Sequence, residues 1–135
     1  MPSRKMFVNL AVRDLQRTVD FFTQLGFTFN PQFTDASATC MIVSEDAYVM
    51  LLVHDRFADF TKKQIVDSTT QTEVLVALSA ESRADVEQMV SRALAAGGSP
   101  ANEPQDHGFM YGHSFQDPDG HIWEVMWIDP AAIQS

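Results

Sequence analysis

The stretch at residues 6–26, MFVNLAVRDLQRTVDFFTQLG, decides the fold of this chain. Its first seven residues are mostly apolar and rich in strand formers, which predicts a β-strand over Met6–Val12. Asp14 follows as a candidate helix N-cap, and apolar residues then recur at helical spacing as far as Gly26. Glycine at that position is typical of a helix C-terminus. A strand therefore leads directly into an amphipathic helix.

Three strand-like segments follow that helix, at residues 27–33, 38–43 and 48–54. Short polar turns separate them, among them the Ser-Glu-Asp at 44–46. The first half of the chain therefore reads β-α-β-β-β.

The second half repeats this order. A strand is predicted at 74–78, and Ser82 begins a Ser-x-x-Asp capping pattern that ends at Asp85. The helix that follows stops at Gly97-Gly98. Two more strands, at 110–115 and 122–128, flank a turn of sequence DPDG. We interpret the two halves as duplicated modules, at about 5–54 and 73–130; chance similarity of two small α+β pieces is the alternative.

The segment at 55–72 joins the modules and is long for a connection. It is either a lid over a pocket or a linker with a short helix packed by its own aromatic residues. The length of 135 residues suits one domain spanning 1–135.

Composition excludes several functions. The chain has 18 acidic and 9 basic residues and a net charge of −9, which disfavours nucleic acids and anionic membrane surfaces. The longest apolar run, Ala47–Val53, has seven residues, too few to span a bilayer. The N-terminal residues lack the apolar stretch of a signal peptide. One cysteine, Cys40, permits no intrachain disulfide and fits a cytoplasmic location; a buried, inert thiol is expected there.

The segments FVNLAVRDL, FFTQLGF and DPDGHIWEV resemble the signature regions of the vicinal oxygen chelate superfamily, which includes glyoxalase I, extradiol dioxygenases and antibiotic-resistance proteins. The resemblance covers nearly the whole chain. It implies an α+β fold in which two βαβββ modules form a curved mixed sheet around a cavity. Because that fold hosts many chemistries, the function has to be read from the site.

The resemblance also implies where a metal would bind. The family takes its ligands from the first and last strands of each module, and these places fall on Phe7, Met50 or its neighbour Leu51, Val74 and Glu124. Only Glu124 is a metal-ligating residue, whereas a catalytic metal wants about three protein ligands. A shift of register would bring in Glu73 and Asn9, but still no histidine. The expected cofactor is therefore none, or a divalent metal ion held in part by Glu124.

Strand alternation places Glu124 beside Ile122 and Met126 on one face. A carboxyl group among apolar side chains suits a catalytic acid or base, or a hydrogen bond to a ligand; a rim carboxylate paired with a basic residue is the equal alternative. Tyr111 and His113, on the neighbouring strand, are further candidates to line the pocket, although a structural hydrogen bond is the commoner role for a lone histidine. The aspartates of the DPDG turn have a spacing reminiscent of calcium ligands, but a plain turn accounts for them better.

Two hypotheses of function follow. The first is a binder of a small apolar or aromatic molecule without a complete family metal site, and its ligand-binding residues are Phe7, Asn9, Met50, Val74, Tyr111, His113 and Met126, with Glu124 as the polar or catalytic group. The alternative is a metal-dependent lyase or dioxygenase acting on a small oxygenated or thiol-conjugated substrate. Phosphate-loop, nucleotide-binding, nucleophile-elbow and Cys-x-x-Cys motifs are absent from the sequence. Open sheet edges and the resemblance predict a homodimer, with contacts through the segment at 54–72.

Overall fold

The structure is a computed structural model that describes residues 3–132. The chain divides into two compact units, unit 1 (Met1–Val66) and unit 2 (Asp67–Ser135). Within residues 3–132, no helix has the length and apolar character needed to cross a membrane.

Unit 1 contains one four-stranded mixed sheet and one long helix. In chain order its elements are β1 (Met6–Val12), α1 (Leu15–Gln24), β2 (Thr28–Asn30), β3 (Ala38–Ile42), β4 (Ala47–Val53) and the short helix α2 (His54–Phe57), with 3₁₀ turns at Pro31–Phe33 and Ala58–Phe60. The strand order is β1-β4-β3-β2, and the pairing of β1 with β4 is parallel. The first and last strands of the module therefore lie side by side.

The core of unit 1 lies between α1 and its sheet. Phe21 and Phe22 of α1 are fully buried, with their rings in an edge-to-face arrangement at 4.9 Å. They share this core with buried strand residues such as Val12 and Leu51. Met50 lies on the opposite face of the sheet, which α1 does not cover.

Unit 2 repeats the plan, with two short strands where unit 1 has β2. Its elements are β5 (Leu75–Ser79), α3 (Arg83–Ala95), β6 (Ser99–Pro100), β7 (Gln105–Asp106), β8 (Met110–Gln116) and β9 (Ile122–Ile128). The strand order is β5-β9-β8-β6, β7 also pairs with β8, and β5 runs parallel to β9. A 3₁₀ turn at Pro130–Ala132 ends the described part.

Helix α3 covers one face of the unit 2 sheet. Val86 and Val90 of α3 are buried, as are Phe115 and Trp123 of the strands, whose rings are parallel at 6.5 Å. Since neighbouring residues of a strand point to opposite faces, Glu124 lies on the face away from this core.

The α+β class and the two βαβββ modules are confirmed, and the strands form one sheet in each unit. Both predicted caps are also confirmed, since Asp14 accepts a hydrogen bond from Arg17 N and Ser82 from Asp85 N. The segment at 27–33 is a shorter strand than predicted. Pro31 has no amide hydrogen for a ladder, so β2 ends at Asn30 and a 3₁₀ turn follows. Strands β6 and β7 were not predicted.

Candidate functional site

A cavity of about 450 Å³ lies in unit 2 beside Glu124. Its lining is partly apolar and partly polar, and consists of Asn102, Glu103, Gln105, Met110, Gly112, His113, Ser114, Glu124 and Met126. The alternation of β9 explains the floor, because Trp123 and Val125 are buried in the core while Glu124 and Met126 are half-buried on the other face. The predicted pairing of Glu124 with Met126 on one face is therefore what the structure shows.

The Glu124 carboxylate is not neutralised by a neighbouring side chain. Its register partners are Ala77 on β5 and Ser114 on β8. Ser114 Oγ is engaged elsewhere, since it accepts a hydrogen bond of 2.9 Å from Asn102 N. Within residues 3–132, Glu124 makes no hydrogen bond, and no basic residue pairs with it. A ligand in this cavity would therefore meet a carboxylate with free acceptor positions.

Tyr111 and His113 are placed on the face covered by α3, where both approach the same acidic residue. The Tyr111 hydroxyl donates to Glu87 Oε1, and this bond raises the pKa of Tyr111. His113 borders the cavity, but its Nδ1 faces Glu87 Oε1 at 3.5 Å and has no hydrogen-bond partner among the described residues. The register between β8 and β9 explains this placement: Ser114 lies opposite Glu124, whereas His113 lies opposite the buried Val125.

The remaining sequence candidates are not part of the lining of this cavity. Val74 precedes β5, and Ala77 is the residue of that strand in register with Glu124. Phe7 is half-exposed on β1 and stacks on Tyr48 at 4.9 Å. Asn9 and Met50 face each other across the parallel β1–β4 pair.

Asn9 and Met50 also line a different cavity, within unit 1, of about 280 Å³. Cys40, the other neighbour of Met50, is 1% exposed, and burial raises the pKa of its thiol. The expectation of a buried thiol is therefore confirmed.

The DPDG turn brings three residues of metal-ligating type together. Ligand atoms of Asp117, Asp119 and His121 lie within 4.8 Å of one another. The Asp117 carboxylate, however, already accepts from the backbone amides of Asp119 and His121, from His121 Nδ1 at 2.9 Å and from the Trp123 indole at 3.0 Å. A carboxylate with four donors has little capacity left for an ion. Its role here is to fix the turn that leads into β9.

His121 interacts electrostatically with the acidic residues of this turn. Burial of the imidazole works against its charged form, but the hydrogen bond that His121 Nδ1 donates to Asp117 and the charges of Asp117, Asp119 and Glu73 outweigh burial, so the pKa of His121 is raised. When His121 is protonated, it therefore forms an ion pair with the buried Asp117 immediately before β9.

The residues present do not fit the metal centre that the resemblance implies. The register of each unit aligns the first and last strands as Asn9 with Met50 and as Ala77 with Glu124. A thioether, an amide and a methyl group do not supply the imidazole and carboxylate ligands that such a centre uses. Glu124 is the one family position with a suitable ligand group.

Comparison with known proteins agrees with the fold. The sequence model of the Glyoxalase/Bleomycin resistance protein/Dioxygenase superfamily matches residues 6–125. The chain therefore belongs to this superfamily. Among curated proteins, none matches it in sequence.

Solved structures extend the comparison. A hypothetical protein from S. aureus is 28% identical, with 94% of this chain and 95% of that chain covered and a TM-score of 0.78. The fosfomycin resistance protein FosX from Listeria monocytogenes is 17% identical, with 100% and 96% covered and a TM-score of 0.67. A bleomycin resistance determinant encoded on transposon Tn5 is 18% identical, with 94% and 99% covered and a TM-score of 0.66. The last two likenesses show the fold alone.

Sequence reasoning missed the polar residues contributed by β7 and by the loop that precedes it. Asn102, Glu103 and Gln105 line the unit 2 cavity but belong to a segment without periodicity. The one signal was composition, because several hydrogen-bonding side chains occur in succession there. Nothing in the local sequence indicates that this loop pairs back onto β8.

Proposed function

We propose that this protein binds a small organic molecule, with an apolar or aromatic body and one hydrogen-bond donor, in the unit 2 cavity. The observation that carries the proposal is the unpartnered Glu124 carboxylate beside Met110 and Met126 in a cavity of about 450 Å³. Pockets for small molecules combine apolar walls with few, well-placed polar groups. In this proposal the ligand body contacts the methionines and its donor binds Glu124.

A family-type metal centre is not part of this proposal, because Ala77 and Ser114 flank Glu124 where ligands would be needed. The competing function is a metal-dependent lyase or dioxygenase with Glu124 as metal ligand. Its support is superfamily membership and the one carboxylate at a family position. The two functions differ in what happens when Glu124 is changed.

The test combines metal retention with binding of a probe. Protein is incubated with Zn²⁺, Ni²⁺, Mn²⁺ and Fe²⁺, dialysed extensively and analysed for bound metal. Separately, 2-naphthol is titrated into protein with ¹³C-labelled methionine methyl groups. We expect no stoichiometric metal, and shifts of the Met110 and Met126 methyl signals with 2-naphthol.

Three variants sharpen the test. Glu124→Gln keeps shape and an acceptor, so affinity for 2-naphthol should stay within a few-fold, whereas Glu124→Leu should weaken it about tenfold. Glu81→Gln, an exposed carboxylate of unit 2 outside the cavity, is the control. Near-stoichiometric metal that disappears in Glu124→Gln would instead establish the metal-dependent function.

We also propose that the chain forms a homodimer. Strand β1 is an edge of its sheet, and Met6 and Phe7 on it are 66% and 49% exposed. An exposed apolar strand edge is a template for pairing with another chain. Sedimentation at tens of micromolar should give a mass of twice 15.1 kDa; a species of 15.1 kDa would contradict the proposal.

A further inference from the structure

The cavity in unit 1 differs in chemistry from the cavity beside Glu124. It occupies about 280 Å³ on the sheet face away from α1, just below the volume of about 300 Å³ at which small-molecule pockets begin. Met50 and Leu52 of β4 form its apolar floor together with Ala38 of β3. A basic residue, Arg56 of α2, also lines it.

Two aromatic side chains line this cavity while remaining largely in solvent. Phe33 ends the 3₁₀ turn after β2 and is 58% exposed, and Phe60 ends the 3₁₀ turn after α2 and is 68% exposed. Large aromatic side chains left exposed beside a cavity carry unused apolar surface. A planar ring bound between them would remove that surface from water.

Arg56 places hydrogen-bond donors at the same cavity. Its guanidinium carbon lies 5.8 Å from the centre of the Phe60 ring. Among the described residues, Arg56 makes no hydrogen bond and no salt bridge, so its donors are not used by the protein. An arginine with a free planar edge favours a carboxylate, which it binds through two parallel hydrogen bonds.

Asp35 is the other charged group of this lining, and its carboxylate is already engaged. Oδ1 accepts from Ser37 N and from Ser37 Oγ, each at 2.8 Å. These hydrogen bonds lower the pKa of Asp35, and the charge of Arg56 adds a smaller effect in the same direction. Arg56 is therefore near an anion without being bonded to it, and Asp35 works against any anionic ligand that approaches.

We propose that the unit 1 cavity binds a planar aromatic carboxylate. The ring contacts Phe33, Phe60 and Met50, and the carboxylate accepts two hydrogen bonds from Arg56. The proposal assigns a ligand class to residues outside the Glu124 cavity and does not rest on the function proposed above. Because the protein carries a net charge of −9, the attraction has to come from this local guanidinium.

The probes are 2-naphthoate and its neutral analogue 2-naphthamide, at pH 7, with the methionine-methyl-labelled protein. Met50 reports on unit 1, whereas Met110 and Met126 report on unit 2. We expect 2-naphthoate to shift the Met50 signal and to bind about tenfold more tightly than 2-naphthamide. A shift confined to Met110 and Met126, or no binding at millimolar concentration, would overturn the proposal.

Variants separate the charge from the ring contact. Arg56→Gln should weaken 2-naphthoate about tenfold and leave 2-naphthamide unchanged, with Arg56→Lys in between. Phe60→Ala should weaken both probes. Arg92→Gln, an exposed arginine of α3, removes the same charge elsewhere and should change neither. Equal affinities of the two probes for the unsubstituted protein would show that Arg56 does not bind the carboxylate, and so would an Arg56→Gln variant that binds 2-naphthoate normally. Thermal melting checks that each variant is folded.

Discussion

The two units share a backbone plan but use polar residues differently. In both, the first and last strands pair in parallel, with Asn9 opposite Met50 in unit 1 and Ala77 opposite Glu124 in unit 2. The apolar residue of this pair is on the last strand in unit 1 and on the first strand in unit 2. Equivalent backbone positions therefore support an apolar floor in one unit and a free carboxylate in the other.

The turns before the last strands differ even more. In unit 1 the Asp46 carboxylate is exposed and forms an ion pair with Lys5 at 3.7 Å. In unit 2 the Asp117 carboxylate is 3% exposed as a residue and accepts four hydrogen bonds. The turn in unit 1 is therefore held by solvent-exposed contacts, whereas the turn in unit 2 depends on a buried anion.

The largest expected effect comes from removing that buried anion. Asp117→Ala removes the acceptor of hydrogen bonds from the Trp123 indole, His121 and two backbone amides, and we expect a loss of about 3 kcal/mol or more in the free energy of unfolding. Urea unfolding followed by tryptophan fluorescence measures it, because both tryptophans lie in unit 2. Asp46→Ala is the matched change in unit 1 and should stay within about 0.5 kcal/mol. Equal losses would erase the contrast between the turns.

A glycine comparison gives the next largest effect. Gly120 has φ of +89°, and a Cβ there would lie 2.6 Å from Ser68 O and 2.9 Å from Thr69 Cα, so Gly120→Ala should cost about 2–4 kcal/mol. Gly26 in unit 1 has φ of +101°, but apart from its chain neighbours no atom of the described residues lies within 4 Å of such a Cβ, so Gly26→Ala should cost about 1–2 kcal/mol. Circular dichroism during urea unfolding measures both. A larger loss for Gly26→Ala would contradict this ranking.

Local features of the sequence predicted most of the fold. The caps at Asp14 and Ser82 were readable because donor and acceptor lie three residues apart. The alternation that places Glu124 and Met126 on one face could also be predicted, because it depends only on the residues of one strand. Secondary structure that depends on contacts between residues close together in the chain could therefore be predicted from the sequence.

Features set by pairing of distant segments were not predictable. Strand β7 exists because Gln105 lies opposite Gly112 on β8, and Arg83 reaches Asp106 across 23 positions. The face taken by Tyr111 and His113 depends on the register between β8 and β9, which one sequence does not fix. The strand face that carries Glu124 and Met126 could therefore be read from the sequence, whereas the loop residues of the cavity could not, and the roles assigned to Glu124 and Met126 stay predictions.

His121 gives a pH-dependent test of the same turn. Its folded-state pKa is above the ordinary value of 6.5, so protonation stabilises the folded state below pH 6.5, and this contribution is lost as pH rises through the folded-state pKa. The free energy of unfolding should therefore fall between pH 6 and pH 8.5, by less than in the two substitutions above. NMR titration should give a His121 pKa above 6.5, and one closer to 6.5 in Asp117→Asn. A His121 pKa below 6.5 would show that burial outweighs Asp117.

The smallest effect separates the surface ion pairs of the two units in acid. Arg83 binds both oxygens of Asp106, at 2.8 and 2.9 Å, and this bonding lowers the pKa of Asp106 from 3.8 to about 2. Because the folded-state pKa is depressed, the contribution is present above pH 4 and is lost as pH falls towards 2. Arg83 also lies over the Trp127 ring, 5.4 Å from its centre, so tryptophan fluorescence reports on the pair.

Between pH 4 and pH 2 the free energy of unfolding of the unsubstituted protein should fall more steeply than that of Asp106→Asn. The Asp46→Asn variant should fall as steeply as the unsubstituted protein, because Asp46 contacts Lys5 through one contact of 3.7 Å. If Asp46→Asn flattens the slope as much as Asp106→Asn does, the two-point geometry of Arg83 adds nothing to a surface charge pair.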